Sequence, residues 1–314
     1  MLFEKSSAAE HPSALTGESS RLNKKKAPTV AVGIVTRDRA SMVRKAIDSV
    51  LAQSFPNLAI SILNDGSIDQ TNTIAVEYPT VNWSDYATSR GCIAARNDLM
   101  SRVAGDYFVS LDDDAWFLNG DEISVGVNYL EVHPKVAAIA FDVLSPDKSS
   151  ERSRAQPKRV PMFIGCGHIV RMAAVRVAGG YVSTPGIYGS EEKDLALRLM
   201  DAGYEIMLLP GVHLWHDKTA VAREQPVQHR SGVCNDLAMT LRRTPLAVLP
   251  LALVSKLYRH FRFSRAHQLE EPFWGGVRLF CQSIPQVWRT RRPVRLATLR
   301  AYVKLSRKQL AVNS

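Results

Sequence analysis

The chain alternates continuous apolar runs with segments whose apolar positions recur every three to four residues. Thr29-Val30-Ala31-Val32-Gly33-Ile34-Val35 is β-rich and almost unbroken in apolar character, which suits a strand covered on both faces. A polar loop, Thr36-Arg37-Asp38-Arg39, follows. Met42, Ala46, Ile47, Val50 and Leu51 then fall at helical spacing. Residues 58–63 form a second strand pattern, ending at Asn64-Asp65-Gly66-Ser67, a turn signature. Residues 69–77 fit the next helix. The strand at 106–111 ends in Asp112-Asp113-Asp114, and Asp121-Glu122 opens another helix. Further on, 136–143 reads as a strand, 145–159 as a polar loop and 163–170 as a strand whose glycines allow close backbone approach. A short helix at 173–177 stops at Gly179-Gly180-Tyr181. Ser190 is placed to cap a helix that carries Leu195, Leu197, Leu199 and Met200 and ends at Gly203. The last strand pattern is 204–209, and Pro210-Gly211-Val212-His213-Leu214-Trp215-His216 follows it.

Strand–helix alternation of this kind predicts an α/β domain, a mixed and mostly parallel sheet flanked by helices with right-handed crossovers. Ligands of such sheets bind beyond the carboxyl ends of the strands. Three polar clusters, 36–39, 64–67 and 112–114, sit at those ends. Three consecutive carboxylates repel one another and cannot be buried unpaired. The usual compensation is a divalent cation with oxygen ligands, often shared with a diphosphate; the plainer reading is an acidic surface turn. There is no internal repeat and no Walker or dinucleotide fingerprint. Gly165-Cys166-Gly167 lacks the third glycine at the required offset.

With 314 residues, 46% of them hydrophobic, the chain is long enough for one domain with an extension or for two domains. Cys92, Cys166, Cys234 and Cys281 are scattered without metal-ligand spacing, as expected for a reducing compartment. The net charge of +10 is unevenly placed: from Leu241 onward 15 Lys and Arg face 2 Glu, a balance of +13, which leaves −3 for residues 1–240. The expected organisation is a polar, disordered leader over 1–28, an α/β domain over 29–225 and a basic amphipathic helical region over 226–314. The most apolar stretch, 245–257, contains Pro250 and Lys256 and falls short of the ~20 residues of a membrane-spanning helix. Near the end, Leu296, Leu299, Val303 and Leu310 share one helical face, with Arg300, Lys304, Arg307 and Lys308 beside it. With Trp274, Phe280 and Trp288 upstream, this pattern fits helices lying on an anionic membrane surface; the other reading is a basic face on helices that pack against the α/β domain. No nucleic-acid recognition motif accompanies the charge.

The ordered set Thr36-Arg37-Asp38-Arg39, Ser49-Val50-Leu51-Ala52-Gln53-Ser54, Asn64-Asp65-Gly66-Ser67-Ile68-Asp69-Gln70-Thr71, Ala95-Arg96-Asn97, Asp112-Asp113-Asp114, Gly179-Gly180-Tyr181, Glu191-Glu192-Lys193-Asp194-Leu195 and His216 resembles family 2 glycosyltransferases over roughly residues 29–220. The resemblance implies a Rossmann-like GT-A fold, a nucleotide-diphospho-sugar donor, a divalent metal (Mn²⁺ or Mg²⁺) and inversion at the anomeric carbon. It implies a hexosyl- or deoxyhexosyltransferase acting on a lipid-linked or polysaccharide-precursor acceptor. Such an enzyme would be cytoplasmic, peripheral on the inner face of the plasma membrane.

By that resemblance Asp114 is a direct metal ligand, with Asp112 facing the ribose and the metal shell and His216 completing metal or diphosphate contacts. Thr36, Arg37, Asp38, Asp65, Arg96, Asp112 and Asp113 form the donor-binding set, although Asp113 also fits a structural role. Asp65 either accepts from the nucleobase or makes an Asx turn before Gly66. Arg96 either meets the diphosphate or pairs with Asp98 or Asp106. Arg39 reads as a solvated helix-start residue. Transfer with inversion needs a base for the acceptor hydroxyl. The family places an Asp second in its Glu-Asp motif, whereas this chain has Glu192 there, so Glu192 is the expected base and Glu191 the alternative. His213 defaults to structure, Trp215 to a sugar platform or the core, and His168 receives no role. Two rival readings exist: a sugar-phosphate nucleotidyltransferase, which needs a glycine-rich loop that 36–39 lacks, and a non-catalytic membrane-associated nucleotide or carbohydrate binder, which only the Glu at 192 favours.

Overall fold

The computed structural model describes residues 27–56, 58–145, 156–217 and 225–313, with side chains through Lys308. Most of the 1–28 leader, most of the 145–159 loop and the side chain of Leu310 therefore lie outside the described residues.

The chain runs β1 (Val30–Thr36), α1 (Ala40–Leu51), β2 (Leu58–Asn64), β3 (Asn82–Asp85), α2 (Cys92–Arg102), β4 (Tyr107–Asp112), β5 (Ala115–Phe117), α3 (Glu122–Val132), β6 (Val136–Leu144), β7 (Lys158–Arg159), β8 (Gly167–Arg171), α4 (Met172–Ala178), α5 (Glu191–Asp201) and β9 (Glu205–His216). The strand order is β3-β2-β1-β4-β8-β6-β9-β5, with β7 on β9. Six of these strands point one way, and β5, β7 and β8 oppose them. The sheet is thus mixed and mostly parallel.

Period-two alternation sorts the strand side chains onto two layers. Val30, Val32 and Ile34 join the apolar stripe Val43, Ala46, Ile47 and Val50 of α1 on one face. Ala31, Phe108 and Val170 meet α2, α4 and α5 on the other. Pairing register sets the site. Thr36 lies opposite Asn64, and Val35 opposite Asp112, so the three polar clusters leave the sheet side by side at its carboxyl edge.

Four local expectations change. Gln70–Glu77 is 3-10 rather than α-helical, started by Asp69 accepting from Thr71 N. Residues 163–170 are not one strand: Ile164 and Gly167 face each other in an isolated bridge, and β8 begins at Gly167. A Cβ at Gly167 would overlap Leu214 and Phe141, so glycine is what lets the turn close on the sheet. Ser190 stands at the N-cap of α5, but its backbone is left-handed (φ 73°) and its side chain makes no cap bond. The last strand does not stop at 209. It runs on to His216, because the four residues Leu209–Val212 bulge opposite Phe141 before pairing with β6 resumes at Asp142 and His213.

Beyond the sheet lie α6 (Gln225–Arg243), α7 (Leu249–Ala266), α8 (Glu270–Arg289) and α9 (Leu296–Asn313). The helices α6, α7 and α8 build a third core that includes Val233, Leu237, Leu241, Leu249, Phe273, Phe280 and Val287. Phe280 is therefore interior, whereas Trp274 and Trp288 are 59% and 52% exposed. Polar ties fasten this unit to the catalytic domain. Asp194 of α5 accepts from Arg243 at 2.6 Å, Asn235 accepts from Gly186 N at 2.7 Å, and Asp201 accepts from Arg295 N and Thr298 Oγ1. No helix among the described residues is long and apolar enough to cross a membrane.

Candidate active site

The acidic triplet is divided by geometry. Asp112 ends β4 with a carboxylate about one-quarter exposed, and Asp114 is fully buried. His216 ends β9 directly opposite Ala115, which brings its Nε2 to 3.3 Å from Asp114 Oδ1. One ligand atom each from Asp112, Asp114 and His216 fits within a mutual span of 4.8 Å. Two carboxylates and an imidazole at that span are a donor set suited to a borderline-hard divalent cation. Asp113 lies outside this set. Its carboxylate accepts from Arg39 Nη1 at 2.7 Å, and burial pushes its pKa up to about 6 despite that partner.

Arg39 is the first residue whose importance the sequence hides. It is not a solvated helix-start residue: its guanidinium spans Asp113 at 2.7 Å and Asp114 at 3.2 Å. Repulsion within the triplet is relieved by a cation from the β1–α1 loop. That loop is itself held in place. Asp38, with φ 52°, donates its N–H to Ser67 Oγ and accepts from Ile68 N. Asp38 thus ties two strand-end loops together, and the neighbouring Arg37 side chain is half exposed at the same edge. Thr36 is buried, its carbonyl accepting from Asp65 N.

Asp65 does not make the Asx turn before Gly66. Its two oxygens accept from Ser89 Oγ, Arg90 N and Gly91 N, which fixes the turn entering α2. The Asx-type turn belongs to Asn64, whose Oδ1 accepts from Ser67 N and Oγ.

Arg96 pairs with neither Asp98, which holds Arg102, nor Asp106, which holds Thr29. It is buried on α2, donates to Asp112 Oδ1 at 2.9 Å and lies 3.6 Å from Glu192 Oε1. Its guanidinium sits 5.6 Å from the Tyr181 ring centre. One cation thus connects the acidic triplet with the first turn of α5.

Glu191 and Glu192 open α5. Glu191 is buried, and its Oε2 has no hydrogen-bond partner among the described residues. Burial, reinforced by Glu191 and partly offset by Arg96, pushes the Glu192 carboxyl up to about 8. A carboxylate held that high is a competent proton acceptor near neutrality. Gly165 leaves room for it, since a Cβ there would overlap Glu192 Oε1. Like Arg39, Gly165 carries no local sequence signal for this role. His213 lies 3.9 Å from Asp142 and outside the cluster, and Trp215 packs at 6.4 Å on Trp116.

Residues 31–176 match the family model described as Glycosyl transferase family 2. An uncharacterised glycosyltransferase of Rickettsia typhi is 36% identical over 125 residues, covering 39% of each chain. The match spans about two fifths of the length of the first curated relatives. The structure of S. aureus TarS 1–349 in complex with UDP-GlcNAc superposes with a TM-score of 0.61 at 16% identity, covering 83% of both chains. The mannosyltransferase PcManGT from Pyrobaculum calidifontis, in complex with GDP-Man and Mn²⁺, gives 0.57 at 17% identity, covering 91% of this chain and 81% of that one. At these identities the structural likeness is one of fold, and the fold is GT-A.

Proposed function

We propose that this chain, a member of glycosyl transferase family 2, moves one sugar from a nucleoside-diphosphate donor to an acceptor hydroxyl with inversion at the anomeric carbon. The observation that carries the proposal is Arg96. A single buried guanidinium touches the metal-type cluster through Asp112 and the raised-pKa carboxylate through Glu192. Leaving-group stabilisation and proton removal are thereby built around one fixed charge.

Asp112, Asp114 and His216 would hold the divalent cation, Mn²⁺ or Mg²⁺, and that ion supplies Lewis-acid neutralisation of the departing diphosphate. The chain's own residues do the rest. Arg96 offers N–H donors to phosphate oxygens. Glu192 takes the acceptor O–H proton as that oxygen bonds to the anomeric carbon, while the bond to the diphosphate breaks with its electron pair on the phosphate oxygen. Arg37 and the backbone at Thr36 border the donor base. A cavity of about 340 Å³ between Tyr188, Ser190, Lys193 and His260 flanks the first turn of α5, where a glycan or lipid-linked acceptor would approach.

The C-terminal unit would rest on the cytoplasmic face of an anionic membrane. Leu251, Val254 and Tyr258 are exposed at helical spacing on α7, and Trp274 and Trp288 on α8, among arginines. Purified protein incubated with UDP-, GDP- and dTDP-sugars plus Mn²⁺ should transfer or slowly hydrolyse one donor. Asp114→Ala should abolish both the turnover and its metal dependence. Unchanged metal-dependent turnover in Asp114→Ala would overturn the reading.

A further inference from the structure

We propose that His168 is a positioning residue for the general base, holding the pocket in which the Glu192 carboxylate sits. The inference rests on Glu192 being that base.

His168 lies on β8, fully buried, stacked on Phe163 at 4.2 Å. Both ring nitrogens are engaged: Nδ1 lies 2.9 Å from the Ile164 carbonyl oxygen, and Nε2 lies 2.8 Å from the Tyr181 hydroxyl. A carbonyl only accepts, so the ring proton belongs on Nδ1, and the Tyr181 hydroxyl must donate to Nε2. Burial and the nearby Arg96 charge push the imidazole pKa down to about 3, so the ring stays neutral and this tautomer persists.

Each nitrogen controls one side of the base. The Ile164 carbonyl belongs to the turn that ends at Gly167, and Gly165 within that turn lies against Glu192 Oε1. Anchoring Ile164 therefore sets where the carboxylate can stand. The other nitrogen anchors Tyr181. Its backbone is clamped by Asn97 through N–H to Oδ1 at 2.9 Å and Nδ2 to carbonyl at 2.8 Å. Its ring faces Arg96, which in turn reaches Glu192. His168 is thus bonded to both the turn and the aromatic support of the guanidinium. The charged and titratable groups around Glu192 are Glu191, Arg96 and Asp112, with Tyr181 and the buried thiols of Cys92 and Cys166 beside them; His168 adds no charge to that set.

The test compares His168→Phe, His168→Asn, Tyr181→Phe and Gly165→Ala, with Glu192→Gln as reference. His168→Phe removes both hydrogen bonds. It should lower kcat by roughly 100-fold while leaving the donor KM and donor thermal shift unchanged, because a small displacement of a reacting group is costly in rate. His168→Asn keeps a donor for Ile164 and should recover most of that loss, to within about fivefold of the parent. A merely structural role would not give this rescue. Gly165→Ala crowds the carboxylate directly and should reproduce the kcat defect, and Tyr181→Phe, which removes only the bond to His168 Nε2, should lower kcat in the same direction, which keeps the proposal open to test if His168→Phe does not fold. In each defective variant the acid limb of the kcat–pH profile should also move, because the surroundings of Glu192 have changed. A folded His168→Phe with parental kcat, or one whose loss falls equally on donor binding, would overturn the proposal. Full activity in Glu192→Gln would instead remove the underlying reading, whatever the His168 variants do.

Discussion

Glu192 carries the sharpest prediction at the residue scale. Its folded pKa, about 8, stands above the ordinary value of 4.5. The base must be ionised to act, so kcat should fall about tenfold per pH unit on the acid side of that value and level off above it. The same shift sets a stability sign. A raised carboxyl pKa means that the fold prefers the protonated form, so Glu192 penalises stability increasingly as pH rises from 4.5 through 8. Glu192→Gln should therefore abolish transfer yet raise Tm by roughly a few degrees at pH 8.5. Calorimetry and a single-turnover assay on the same variant would decide both halves. Arg39 gives the opposite case. Its removal strands Asp113 and Asp114 in a buried site, and Arg39→Ala should destabilise the fold by about 3 kcal/mol. Part of that loss should return with Mn²⁺, which restores positive charge beside the triplet; Tm measured with and without the ion reads it. Asp112, Asp114 and His216 were legible because residue type and order both pointed to them. Arg39 was not, since nothing local distinguishes an arginine in a polar loop from one folded back over carboxylates 74 residues away.

At the scale of elements, continuous apolar runs read correctly where both faces of a strand are covered, as in β1, β4 and β6, and a 3.6-residue stripe reads correctly where a helix buries one face, as in α1. The failures share a cause. Residues 163–170 look like a strand because their composition is apolar, but glycine at 165 and 167 lets the chain turn inside that run. Pro210-Gly211 looks like a stop, yet strand neighbours on both sides of β9 supply enough pairing to carry it through a bulge. Tertiary partners, absent from any local window, decide both. Gly167 is the checkable position. A methyl group there meets Leu214 and Phe141 in a filled layer, so Gly167→Ala should cost roughly 1–3 kcal/mol. Because β8 begins there, the same variant should loosen the Ile164–Gly167 turn. Denaturant unfolding monitored at parental m-value would register the stability change, and an unchanged midpoint would contradict the packing argument.

Across the whole molecule, charge and polarity are distributed as two functions would require. The catalytic half is slightly acidic, and the surplus of positive charge lies beyond Leu241. Composition exposed that asymmetry, but it could not say which basic residues are spent inside. Arg243 is buried against Asp194, and Arg295 is bound to Asp201, so both fasten the helical unit to the catalytic domain. Helix packing therefore does not exclude the proposed surface attachment, because a different face is left for it. The interior face holds Phe273, Phe280 and Val287, and the outer face of α8 shows Trp274, Arg278 and Trp288. If that outer face meets lipid, Trp274→Glu with Trp288→Glu should abolish co-sedimentation with vesicles containing phosphatidylserine. Hydrolysis of a soluble donor should stay near the parental value, and Tm should fall only slightly: both tryptophans are more than half exposed, although Trp274 packs edge-on at 4.9 Å against Phe273 of the third core. Parental binding should weaken as salt rises, because each Lys or Arg near an anionic surface contributes about 1 kcal/mol within a Debye length of roughly 8–10 Å. Binding that ignores both the tryptophan charges and the salt would instead leave the helical unit as a support for α5, fixed through Asp194 and Asp201, with no lipid contact to explain.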